Sequence, residues 1–255
     1  MRQDPREDDE QHLLETKPFL AHLEDLRWTI IRCVGALAAG ITICAFSVRS
    51  ILLILYVPYI EAGRSPKDLI NIGVADPFSI HMSISVLGGV ILSLPAMLYF
   101  VGQFLLPALM PREKRYLAPV FFGGTVLFIA GVVFCYCFVL KVALSFFLGY
   151  STYLGFEATW TAKELVDFEV QMLIGFGLAF EFPLVLIVLN LLGMVSSRQL
   201  ATTRRYAAFA IFMAACCIIP STDPFTLALF SVPLYALYES CVWIAWMLER
   251  KREKV

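Results

Sequence analysis

The chain has 255 residues, of which 59% are hydrophobic and 16% charged, with a mean hydropathy of +0.76. That balance excludes an ordinary water-soluble domain, because several runs reach the about 20 apolar residues that a membrane helix needs. With 20 Lys and Arg against 21 Asp and Glu the net charge is −1, so no basic field for nucleic acid exists and no such partner is expected.

Residues Met1 to Lys17 are polar and acidic, with Glu7, Asp8, Asp9 and Glu10 close together. They carry no cleavable leader pattern, and residues 1–17 read as a disordered cytosolic tail. The first apolar run is Trp28 to Phe46; after Arg49 a second piece, Ile51 to Tyr59, ends around Pro58. We read one spanning helix and a short segment at the far interface. The second span is Phe78 to Leu106, about 43 Å if fully helical and longer than the ~30 Å hydrocarbon core, with Pro95 as its bend point. The third is Pro119 to Leu140, continuing towards Tyr150, and the fourth is Val166 to Leu192.

Arg205 and Pro220 bracket a shorter run, Tyr206 to Ile219, and a return run, Phe225 to Tyr238, stops at Glu239. Each gives roughly 21 Å of helix, and the turn Pro220-Ser221-Thr222-Asp223-Pro224 joins them. The expected architecture is all-α: a polytopic membrane domain over residues 18–248 with six transmembrane helices, the last two short, forming a concave wall. Residues 249–255 make a charged cytosolic tail. Loop charges set the orientation. Lys17, Arg27 and Arg32, then Arg112, Lys114 and Arg115, then Arg198, Arg204 and Arg205, and finally Arg250, Lys251, Arg252 and Lys254 fall at alternate loops and ends. The opposite loops are poorer in Lys and Arg, so both termini are expected in the cytosol.

Chemistry is hard to place on this chain. The seven cysteines all lie within apolar runs, and His12, His22 and His81 are scattered, so neither a disulfide framework nor a metal site is expected. There is no GxxxxGK[ST] loop and no nucleophile motif; no enzyme activity, cofactor or metal is expected. Glu181 stands out, centred in the apolar stretch Val170 to Gly193 beside Phe180, Phe182 and Pro183. A carboxyl at mid-membrane costs roughly 3 kcal/mol on insertion scales. It marks either a functional site or a buried group bonded to a neighbouring helix. Two acidic positions also flank spans: Glu24 and Asp25 precede Arg27, and Glu113 lies among Arg112, Lys114 and Arg115. They either offset those arginines or form an acidic site for a basic ligand, in which each carboxylate could take a guanidinium in a bidentate contact.

The ordered motifs resemble the TatC family of twin-arginine protein translocases from about Pro18 to Glu239. His22-Leu23-Glu24-Asp25-Leu26-Arg27 resembles the family's opening motif, and Phe104-Leu105-Leu106-Pro107-Ala108-Leu109 with Glu113-Lys114-Arg115 its first cytosolic loop. Phe176-Gly177-Leu178-Ala179-Phe180-Glu181-Phe182-Pro183 resembles its fourth span; Arg204-Arg205-Tyr206, Pro220, Asp223 and Pro233 to Glu239 resemble its last helices. The resemblance implies a membrane receptor that binds, on the cytosolic side, the twin-arginine signal peptides of folded precursors. It would work in an oligomeric complex with TatA- and TatB-type single-span partners, driven by the proton-motive force. It implies that Asp25, Glu113 and Glu24 receive the arginine pair, and that Glu181, with Thr226, offers a polar intramembrane site to a partner. It links Arg27, Pro58, Pro95, Phe104 and Asp223 to shape or activity. Asp25 is one methylene shorter than the family's glutamate, and Leu227 stands where a glutamine is common. A secondary transporter with Glu181 as its ion site, and a plain scaffold, are the competing expectations; no internal repeat supports the first.

Overall fold

The computed structural model describes residues 5–105, 114–157, 159–191, 195–218 and 224–252. Ten α-helices follow in order among them: α1 (Pro5–Ala45), α2 (Val48–Glu61), α3 (Asp76–Leu105), α4 (Lys114–Phe134), α5 (Leu140–Tyr153), α6 (Ala162–Phe180), α7 (Phe182–Leu191), α8 (Ser197–Thr202), α9 (Arg204–Ile218) and α10 (Pro224–Arg252). Five helical stretches are long and apolar enough to cross a membrane: Leu23–Ala45, Asp76–Leu105, Phe121–Tyr153, Ala162–Asn190 and Pro224–Met247. The outer faces confirm what solvent they meet. Phe122, Val126, Ile129 and Val133 form a helical stripe on α4, and Phe122 is 73% exposed, the kind of apolar surface that suits lipid or another membrane helix.

Three helical stretches depart from unbroken α hydrogen bonding, each for a local reason. A π-helical turn, Cys135–Val139, joins α4 to α5, with the Leu140 N–H reaching back to Cys135 O. Pro183 lacks an N–H and disfavours helical backbone before it. Accordingly α6 gives way to α7 at Glu181, whose own N–H tightens to Leu178 O at 3.1 Å. Pro58 leaves the Ile54 carbonyl without its helical donor, and the Tyr136 hydroxyl supplies one at 2.8 Å.

Packing between helices relies on small residues, since lipid offers no hydrophobic drive for helix association. α1 lies antiparallel along α3 with Gly40 against Gly89: a Cβ on Gly40 would stand 2.7 Å from Gly89 O. The centre of the bundle is aromatic, with Phe176 edge-on to Phe230 at 4.5 Å between ring centres and Phe134 near both Phe176 and Phe180. At one end, the loops after α2 and α5 are stitched together. The Ile70 N–H donates to Trp160 O at 3.2 Å and the Ala162 N–H to Ile70 O at 3.0 Å. Gly63 and Gly155, both at positive φ, terminate the helices that lead into those loops.

Two expectations change. The last helix is not short: α10 runs on through Glu239 to Arg252. Glu239 does not stop it because the charge is met, by Arg204 Nη2 at 3.0 Å and by the Tyr235 hydroxyl at 3.1 Å. Of the last two helices only α9, with 15 described residues, is short. And α1 starts at Pro5, within the expected tail; Pro at the first helical position with Glu7 and Asp8 in the first turn is a helix-start pattern.

Candidate functional site

The first candidate site lies at the N-terminal end of the α1 span. Glu24, Asp25 and Arg27 are exposed, and neither carboxylate forms an ion pair with another described residue. The neighbouring Thr29 is buried and its hydroxyl donates to Asp25 O at 2.8 Å, so its polar group is met within its own helix. Two contacts fix the antiparallel register with α3: Gly40 beside Gly89, and the Cys33 thiol directed at Met97 O at 3.9 Å. Continued two turns further, that register brings Asp25 level with Phe104 in the last turn of α3, where Phe104 is half-buried. Glu113 and Asp223 lie outside the described residues. Asp25 and the start of the α3–α4 connection therefore share one end of the bundle.

The second candidate is mid-span. Both carboxyl oxygens of Glu181 are buried without a hydrogen-bond partner among the described residues. They face α4 at Gly124, where a Cβ would come within 3.1 Å of Oε2, so glycine there leaves the carboxyl its room. The same residue borders a cleft of about 460 Å³ walled by α6, α7, α9 and α10, including Leu178, Ala210, Ala214 and Leu237. Thr226 is fully buried on α10. It is not brought to Glu181. α6 and α10 run parallel with Phe176 level with Phe230, so Thr226 falls about a turn before that rung and Glu181 more than a turn after it. Leu234 and Leu237 face the Glu181 cleft instead. Pro58 is buried on α2, and Pro95 sits within α3.

Sequence reasoning missed Glu169. This carboxyl is 0% exposed and has no hydrogen-bond partner among the described residues. Tyr56 of α2 and Cys135 and Tyr136 of the π-helical turn lie within electrostatic reach. The signal was available: the Thr161/Glu164 capping box starts α6 at Ala162, which puts Glu169 two turns inside the helix rather than at its edge. Asp167, nearer the end, is satisfied by Ser83 at 2.8 Å and by Lys163.

Comparison with known proteins covers most of the chain. Residues 21–233 match the family described as TatC, Sec-independent protein translocase protein. A protein of that name from Aquifex aeolicus (strain VF5) is 32% identical over 243 residues, 93% of this chain and 98% of its own length. Another, from Koribacter versatilis (strain Ellin345), is 31% identical over 247 residues, 96% of this chain and 90% of its own. A third, from Akkermansia muciniphila, is 41% identical over 176 residues, 69% of this chain but 51% of its own. Among solved structures, a crystal structure described as the twin arginine translocase receptor TatC superposes with a TM-score of 0.78. It shares 31% identity and covers 89% of this chain and 98% of the solved one.

Proposed function

We propose, for a chain that belongs to the TatC family of Sec-independent protein translocase proteins, how its two candidate sites divide the work of a transport subunit. The chain is a multi-pass membrane component of the twin-arginine translocase, not an enzyme. At the first site, Asp25, assisted by Glu24 and joined by Glu113 from the α3–α4 connection, receives the paired arginines of a signal peptide. The observation that carries this reading is the exposure of Glu24 and Asp25 at the end of the bundle where α3 leaves, with neither carboxylate committed to a described cation. Exposed carboxylates cost nothing to present, and each guanidinium contact adds a charge-assisted, bidentate bond worth roughly 1.5–3 kcal/mol. Asp25 has a shorter reach than glutamate, and Glu24 stands beside it to compensate.

At the second site, Glu181 and its cleft receive the membrane helix of a TatA- or TatB-type partner, within an oligomeric complex that draws on the proton-motive force. The small residues Ala210 and Ala214 on the cleft wall suit close helix approach. In this reading the protein sits in the cytoplasmic membrane, and the excess of Lys and Arg at alternate loops and ends supports both termini in the cytosol.

Photo-crosslinking of a twin-arginine signal peptide to membranes that contain the protein tests the first site. Asp25→Lys should cut peptide capture by roughly 10–100-fold, the loss of one such contact, while the amount of inserted protein stays constant. Glu113→Lys should do the same. Capture at wild-type affinity by both variants, over a range of salt, would show that the arginine pair binds elsewhere.

A further inference from the structure

A second, unrelated cleft opens at the end of the bundle where α8 meets the last turns of α10. It has a volume of about 540 Å³ and is lined by Arg198, Ala201, Arg204, Val242, Trp243 and Trp246. Its walls are held firmly. The Ser196/Gln199 capping box starts α8, the Asn190 side chain bonds Val195 O at 2.8 Å, and the buried Tyr238 hydroxyl donates to Leu200 O at 2.7 Å. Arg198 is thereby presented from a short helix clamped to α10. It makes no ion pair with a described residue, whereas Arg204 shares its charge with Glu239.

The ligand must suit one cation, a second partly neutralised one, and two indole rings. Trp243 is 62% exposed, and both tryptophans lie in the last turns of the apolar stretch Pro224–Met247. That is the depth of the interfacial aromatic belt, where phosphate groups of the bilayer sit. A soluble phosphate would engage the arginines alone and leave the two indole rings uncontacted. Basic pockets between helices on the positive side of a membrane protein are suited to anionic headgroups.

We propose that this cleft is a binding site for an anionic phospholipid, with the headgroup phosphate on Arg198 and the glycerol region against Trp243 and Trp246. The site is separate from Asp25 and from Glu181, and it would anchor the α8–α10 corner to the lipid around it.

Native mass spectrometry of the full-length protein, delipidated and titrated with phosphatidylglycerol or phosphatidylcholine of identical chains, tests the proposal. Phosphatidylglycerol should bind at least about tenfold more tightly. Arg198→Gln should weaken it about fivefold, the worth of one basic residue near a membrane surface. Trp243→Ala should weaken both lipids, and Arg49→Gln, a basic residue on another part of the chain, should change neither. Arg198 is exposed and unpaired among the described residues, so its loss should leave the fold intact, and an unchanged melting temperature checks this. Equal binding of the two lipids would overturn the proposal, as would an Arg198→Gln variant that binds like wild type. Displacement of phosphatidylglycerol by millimolar inorganic phosphate would assign the cleft to a soluble anion and overturn the lipid reading.

Discussion

Glu181 and Glu169 show how two carboxyls on one helical span are housed differently. Glu181 sits where Pro183 interrupts the helix, and its side chain uses the room left by Gly124. Beside it is a cleft that another helix could enter. Glu169 is sealed in the core. Its carboxyl has no hydrogen-bond partner among the described residues, and burying a carboxyl at this depth is costly unless one is supplied. One interhelical hydrogen bond in a membrane contributes roughly 0.6–2 kcal/mol, so Glu181 alone cannot hold a partner. Glu181→Ala should therefore weaken crosslinking to a single-span partner helix about 3–30-fold without abolishing it, and Glu181→Gln, which keeps hydrogen-bonding capacity, should be milder. Crosslink yield at equal expression measures the order. Gln as damaging as Ala would mean that a charge or proton is required, which favours an ion-coupled role for this residue.

Among elements, α1 and α3 depend on their glycines most directly. A Cβ on Gly89 would come within 2.5 Å of the Ile41 side chain and 2.7 Å of its backbone nitrogen. Backbone cannot yield as a flexible side chain can, so Gly89→Ala should force the helices apart at a cost of about 1–3 kcal/mol. Gly35, on the same α1, has nothing within 4 Å of its would-be Cβ. Gly35→Ala should be neutral or raise stability by up to about 1 kcal/mol through helix propensity. Thermal unfolding of the two variants in one detergent gives the comparison; equal melting temperatures would mean that the crossing is looser than drawn. The register set at this crossing also carries Asp25 to the level of Phe104, so a shift there should reach the proposed peptide site. At the other extreme, α10 shows that an element can outlast its apolar stretch. Glu239 interrupts the hydropathy pattern, but the backbone hydrogen bonds continue past it because Arg204 and Tyr235 satisfy the side chain.

For the molecule as a whole, the loops after α2 and α5 meet through the Ile70–Thr161 pairing, and Arg198, Arg204 and Glu239 gather where α8 to α10 come together. Cysteine labelling from outside intact cells, on a background without the native cysteines, should modify Thr159→Cys and spare Ser197→Cys. The reverse pattern would invert the orientation drawn from loop charge. The sequence alone determined the membrane class, most of the apolar spans, the mid-span Glu181 and the family motifs. All of these follow from composition, run length and local order along the chain, which the bilayer reads directly. Tertiary structure alone decided which residues share a level across helices. It separated Thr226 from Glu181, raised Asp25 to Phe104, sealed Glu169 and gave the Ile54 carbonyl to Tyr136. Those outcomes depend on helix register and on which helix faces which. In a membrane these are fixed by close packing of small residues and by a few interhelical hydrogen bonds, and hydropathy is blind to both.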